Sequence, residues 1–142
     1  MTALLAALCL AGAVNFNFGW QWRFEGESSW RDVDLPHDCL VNEPWDKSAV
    51  HSQRVFKDVN RTARYRKDFA FDPSWSGRRV ILDFGGVQFF GDVFLNGAKV
   101  ASTEYGALGF EVDVTDALRR EATNRVEVTA DVRGGPDGCR WY

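Results

Sequence analysis

Apolar and polar residues alternate along much of this chain with a period of two. In Asn15–Phe24, NFNFGWQWRF, residues Phe16, Phe18, Trp20, Trp22 and Phe24 share one parity, and Asn15, Asn17, Gly19, Gln21 and Arg23 share the other. Such alternation predicts a strand with one buried face and one solvated face. Ala63–Phe71 repeats the pattern, with Tyr65, Lys67, Phe69 and Phe71 set against Arg64, Arg66, Asp68 and Ala70. Phe110, Val112 and Val114 alternate with Glu111 and Asp113. Val126, Val128, Ala130 and Val132 alternate with Arg125, Glu127, Thr129 and Asp131.

The stretch Arg79–Val100 organises the rest. Two apolar runs, Val80–Phe84 and Phe89–Leu95, flank Gly85-Gly86, and Asn96-Gly97 then separates Leu95 from Ala98-Lys99-Val100. Asn-Gly between apolar runs predicts a type I′ hairpin, because both central residues need positive φ. We read this stretch as the central hairpin of the fold. Trp30–Leu35 is a short extended piece that Pro36 ends, since proline donates no ladder hydrogen bond. Leu40–Arg61 has no sustained period and reads as a long surface loop. Asp72–Gly77 is a turn cluster. Thr115 or Asp116 is placed to cap one helical turn over Asp116–Arg120. Seven or eight short strands with almost no helix predict an all-β antiparallel sandwich or jelly roll.

Composition narrows this picture. A chain of 142 residues suits one domain that buries roughly two thirds of its unfolded surface. Six Trp and eleven Phe suit a packed core plus an aromatic surface or interface. The net charge of -3 gives no global field for nucleic acid. A local basic run (Arg54, Lys57, Arg61, Arg64, Arg66, Lys67) is interrupted by Asp58 and split between two faces at strand spacing. We therefore expect no nucleic-acid partner. Residues 1–14 form an apolar run with small residues at Ala11 and Ala13, resembling a signal peptide without a basic start. The run is too short to span a bilayer, so no membrane partner is expected. A secreted or periplasmic location is the expectation if this leader is real, and a cytoplasmic one if it is not. The three cysteines, Cys9, Cys39 and Cys139, show no metal spacing and no disulfide framework. Sequence alone does not pair Cys39 with Cys139.

The ordered motifs carry a resemblance. WRDVDLPHD at Trp30–Asp38 is followed by RYRKDF at Arg64–Phe69 and VILDFGGVQFFGDVFLNGAKVAS at Val80–Ser102. Then come YGALGFEVDVTDAL at Tyr105–Leu118, NRVEV at Asn124–Val128 and CRWY at Cys139–Tyr142. Over residues 15–142 this set resembles the N-terminal sugar-binding domain of glycoside hydrolase family 2, the β-galactosidase, β-glucuronidase and β-mannosidase family. The resemblance implies a galactose-binding-like jelly roll. It also implies immunoglobulin-like and barrel domains downstream as partners in the same enzyme, the barrel bearing two catalytic glutamates that hydrolyse a β-glycoside with retention. The motif set stops before the last strand of that domain, so the resemblance is to a truncated module. A stand-alone carbohydrate-binding or adhesion module is the alternative.

Candidate site residues follow from the resemblance. Asn60 stands a few residues before an aromatic-containing strand, where the β-galactosidase branch places an asparagine that reaches the sugar pocket. Its amide can donate to and accept from a sugar hydroxyl; the plainer reading is a turn residue. Arg140 and Trp141 sit where the family's domain approaches the barrel pocket, and a guanidinium fork and an indole suit a sugar's edge and face. Their plainer reading is an interdomain contact. Leu35-Pro36-His37-Asp38 can be read as a site element or as a structural corner with Asp38 accepting backbone N–H bonds. The corner is the reading adopted, because the motif serves family members with many substrates. Glu43, Asp46, Asp113 and Asp116 show no pairing suited to acid–base work. No catalytic residue, metal or cofactor is expected in this chain.

Overall fold

The structure is a computed structural model that describes residues 12–45, 61–88, 90–106 and 108–131. Eight strands form within them: β1 (Trp20–Phe24), β2 (Arg31–Val33), β3 (Thr62–Phe69), β4 (Ile81–Phe84), β5 (Phe90–Leu95), β6 (Ala98–Thr103), β7 (Phe110–Asp113) and β8 (Asn124–Asp131). A single 3-10 turn, Pro73–Trp75, is capped by the Asp72 carboxylate, which accepts from Ser74 N. Six strands make one antiparallel sheet in the order β2-β1-β3-β8-β5-β6, and β4 pairs with β7 in a second sheet. The result is an all-β antiparallel sandwich.

The period-two pattern decides which side of each strand is dry. Trp20, Trp22 and Phe24 of β1, Ala63 and Tyr65 of β3, Val93 and Leu95 of β5, and Val126, Val128 and Ala130 of β8 form one buried cluster. Val112 of β7 and Val114 just after it belong to the same cluster, and Leu82 and Phe84 of β4 pack against it. Phe84 and Phe110 stack at 4.9 Å across the β4–β7 pair. Each fully buried residue of this size contributes about 2–3 kcal/mol relative to exposure.

The Asn96-Gly97 turn is type I′, with φ of 53° and 85°, and it joins β5 to β6. This hairpin is not central, however. Among the described residues β6 is the edge of the large sheet. The Val80–Phe84 run does not pair with the β5 run but crosses to β7, with Ile81 opposite Asp113 and Phe84 opposite Phe110. Gly85 and Gly86 therefore link two layers rather than two neighbouring strands.

Two further expectations are corrected. Alternation in Asn15–Phe24 yields a strand only from Trp20, because Gly19 adopts φ 72°. That break rotates Phe18 off the core face, leaving it 60% exposed. The predicted helical turn at Asp116–Arg120 is instead a single tight turn. Ala117 N donates to Val114 O, and the Asp113 carboxylate accepts from both the backbone N and the hydroxyl of Thr115. These bonds and Arg79 hold the Asp113 carboxyl at about 2.

Lys67 shares the parity of Tyr65 and Phe69, yet it is an ammonium. Its Nζ donates to Phe16 O at 3.1 Å and Phe18 O at 2.6 Å and lies 4.0 Å from the Phe16 ring centroid. The stem covers the apolar edge while the charge ties down the segment leading into β1.

Candidate functional site

Strand registers place the loops in two groups. Thr62 pairs with Asp131, Phe90 pairs with Asp131, and Gly91 pairs with Thr103. One end of the sandwich therefore holds the end of β8, the start of β3 and the β4–β5 and β6–β7 connections. We call it the Asp131 end. The opposite, Asn124 end holds the Asn96-Gly97 turn and the start of β1.

At the Asp131 end three charged residues form a chain. Arg61 Nη1 donates to Glu43 at 2.7 Å, and its Nη2 donates to Glu27 at 3.1 Å. The guanidinium also lies over the Phe24 ring at 3.4 Å. Glu27 further accepts from Phe24 N and Arg31. Burial works to raise the Glu27 carboxyl, but these bonds and the charges of Arg31 and Arg61 hold it below its ordinary value. A carboxylate held ionised in this way is a poor general acid. Glu27 therefore fixes its loop end rather than offering a proton, and Glu43 ties a second loop to the same Arg61.

The Leu35–Asp38 segment is a structural corner. Asp38 accepts from Leu40 N at 2.8 Å, and His37 Nδ1 and Tyr65 Oη share a hydrogen bond at 2.9 Å. The His37 ring packs 4.6 Å from Trp22. Burial drives the Tyr65 phenol above its ordinary value and pushes the free Cys39 thiol up to about 11. Such a thiol stays protonated and inert at neutral pH. Burial also lowers the pKa of His37 from 6.5, with Asp38 opposing it.

The sign of the resulting pH effect is fixed. Below about pH 6.5 the unfolded chain takes up a proton that the folded imidazole resists. Stability should therefore fall as pH drops through 6.5 and level off below the folded value. Urea melts at pH 5 and pH 7.5 check this: the wild type should lose stability between them, and His37→Gln should lose less. Equal losses in both would remove His37 as the cause.

At the Asn124 end an open hollow of about 510 Å³ lies between the exit of β2 and the end of β3, lined by Gln21, Asp32, Asp34, Arg66, Lys67 and Asp68 among others. Its polar groups already serve one another. Gln21 donates to Asp32, Arg66 donates through two nitrogens to Gln21, and Asp34 accepts from Gly19 N. Asp68 takes a bidentate pair from Arg125 at 2.6 and 2.7 Å. Trp20 is buried and spends its indole N–H on Phe16 O, so it offers no face to a sugar. The described part of the basic run is committed in the same way: Arg61, Arg64, Arg66 and Lys67 all bond within the domain.

Asn60, Arg140 and Trp141 lie outside the described residues, as do Cys9, Cys139, Asp46, Arg54 and Lys57. Arg61, the chain neighbour of Asn60, and Asp131, the last described residue before Arg140 and Trp141, are both at the Asp131 end. Sequence reasoning missed Asn124, which is fully buried on the core parity of β8. The available signal was a lone amide in phase with Val126, Val128 and Ala130.

Comparison with known proteins agrees with this architecture. The sequence pattern of the glycosyl hydrolase 2 galactose-binding domain-like family matches residues 20–134. A β-galactosidase of Bacteroides ovatus is 27% identical over 138 residues, covering 89% of this chain and 16% of that protein. A β-glucuronidase of Bacteroides fragilis is 30% identical over 118 residues, covering 82% of this chain and 16% of that protein. A solved glycosyl hydrolase family 2 member from Bacteroides cellulosilyticus superposes with a TM-score of 0.70 at 29% identity, over 89% of this chain and 18% of that one. The chain thus spans about a sixth of the length of these relatives.

Proposed function

This chain belongs to the glycosyl hydrolase 2 galactose-binding domain-like family, and from that premise we propose that it is the accessory, sugar-facing domain of a larger β-glycosidase. The larger enzyme hydrolyses O-glycosidic bonds of a β-galactoside, β-glucuronide or β-mannoside, and its catalytic carboxyls come from outside these residues. The observation that carries this reading is the family match over residues 20–134 in a chain that covers about a sixth of its β-galactosidase and β-glucuronidase relatives; the carboxylates agree with it. Retaining hydrolysis needs two carboxyls about 5 Å apart, one with a raised pKa. Among the described residues, every Asp and Glu with a perturbed pKa is shifted down: Glu27, Asp68, Asp72, Asp92 and Asp113. These groups cap turns and pair with cations.

In this reading Asn60, Arg140 and Trp141 position the sugar and the downstream immunoglobulin-like and barrel domains enclose it. A rim that supplies a few hydrogen bonds and no enclosing pocket binds weakly once ordering costs are met. Calorimetric titration of the chain with galactose, glucuronate and mannose should give Kd values weaker than about 1 mM. In the natural polypeptide, Asn60→Ala and Arg140→Ala should lower kcat/KM while leaving the melting temperature unchanged. Unchanged kinetics in both variants would remove these site assignments. Micromolar binding of a free sugar by the chain alone would favour a self-sufficient binding module instead.

A further inference from the structure

We propose that Asn96 is a site of spontaneous covalent modification, deamidation with isoaspartate formation, and that the folded domain guards it through the hydrogen bonds on its side-chain amide. Asn96 is the only asparagine of the sequence followed by glycine, and the chemistry needs that neighbour. The Gly97 backbone nitrogen gives up its proton to hydroxide and attacks Asn96 Cγ. A new N–C bond closes a five-membered succinimide, and the Cγ–Nδ2 bond breaks. Nδ2 takes a proton from water and leaves as ammonia. One water then opens the ring at either carbonyl, giving aspartate or isoaspartate with no change of oxidation state. A side chain on the attacking residue would crowd this approach. Glycine has none, and nothing lies within 4 Å of the Gly97 Cβ position. Gly97 is exposed at the tip of the β5–β6 turn, so water and hydroxide reach it.

The fold opposes the reaction at the atoms that must move. The leaving nitrogen, Nδ2, donates to Ala117 O at 3.1 Å and to Asn124 Oδ1 at 2.9 Å. Oδ1 accepts from Arg125 N at 3.0 Å, and the Asn96 backbone N donates to Arg125 O at 2.8 Å. Asn124 is fully buried, so one anchor of the amide is fixed in the core. Ring closure turns Cγ towards Gly97 N and expels Nδ2, which gives up these bonds together. Cyclisation therefore waits for local opening of the turn. The product does not restore the closed state. Aspartate puts a carboxylate oxygen where Nδ2 stood, facing the two acceptor oxygens of Ala117 and Asn124. Isoaspartate routes the backbone through Cβ and Cγ, adding one carbon to a two-residue turn set at φ 53° and 85°. Deamidation thus makes a transient opening of the β5–β6 turn permanent.

Peptide mass spectrometry of the natural polypeptide, incubated at one mildly alkaline pH either folded or in denaturing urea, tests the proposal. The unfolded polypeptide should convert Asn96 to a mixture of aspartate and isoaspartate. The folded polypeptide should convert it roughly tenfold more slowly or slower still, because the rate follows the population of the open turn. The deamidated fraction, separated by its extra negative charge and returned to native buffer, should exchange its amide hydrogens faster across the β5–β6 turn than the unmodified protein. Equal conversion rates in the folded and unfolded samples would overturn the guard. Absence of isoaspartate from the unfolded sample would overturn the site, since direct hydrolysis of the amide gives aspartate alone. Unchanged hydrogen exchange in the deamidated fraction would overturn the permanent opening.

Discussion

Asn124→Leu is expected to lower the unfolding free energy by roughly 4 kcal/mol, although leucine has the same branched heavy-atom skeleton. Asn124 is 0% exposed. Its Oδ1 accepts from Arg119 N at 2.8 Å and from Asn96 Nδ2 at 2.9 Å, and its Nδ2 donates to Arg119 O at 2.9 Å. Asn96 in turn donates its amide to Ala117 O and accepts from Arg125 N. One buried amide thereby latches the β5–β6 turn, the turn after β7 and the start of β8 together. Leucine would strand the Arg119 N–H and C=O, each costing about 1–3 kcal/mol where water is excluded, and would take from the Asn96 amide one of its two acceptors, leaving it Ala117 O. Asn124→Asp should also be severe, since it aims a carboxylate at the Arg119 carbonyl. Urea denaturation measures both. A loss below about 1 kcal/mol for Asn124→Leu would show that water replaces these bonds.

Gly86→Ala is expected to cost roughly 3 kcal/mol or to displace the β6–β7 connection, because the added methyl meets a backbone oxygen at 2.6 Å and not a pliable side chain. Gly97→Ala is the useful contrast. Gly97 has φ 85° but open space around its Cβ position, so its cost is limited to backbone strain of about 1 kcal/mol. Thermal melts of the two variants should rank in that order. The reverse ranking would mean that the contact between the β4–β5 and β6–β7 connections gives way easily.

The sequence made the sandwich legible wherever a local rule decided the structure. Asn96-Gly97 specified its turn because few residue pairs tolerate two positive φ values. The parity of Val126, Val128 and Ala130 specified the buried face of β8 because a strand side chain has only two sides to choose from. What escaped was set by partners distant in the chain. Nothing in Val80–Phe84 states that it joins β7 and not the adjacent run, since both pairings bury the same residues. Phe18 keeps its parity in the sequence and loses it in space, because a single glycine conformation at Gly19 breaks the strand. Asn124 looks like a polar strand boundary until the carbonyl and amide of Arg119 are brought to it. The corner reading of His37 and Asp38 held, and its decisive contact, Tyr65, lies 28 positions away. Asn60, Arg140 and Trp141 rest on family resemblance and lie outside the described residues.

In the function proposed above, this domain positions sugar for carboxyls held elsewhere. Turnover of nitrophenyl β-galactoside, β-glucuronide and β-mannoside tests it most directly, measured side by side on the purified 142-residue chain and on the natural polypeptide that contains it. The chain should show no turnover, and the natural polypeptide should hydrolyse at least one of the three. Hydrolysis by the 142-residue chain itself, abolished by replacing one of its own carboxylates, would contradict it.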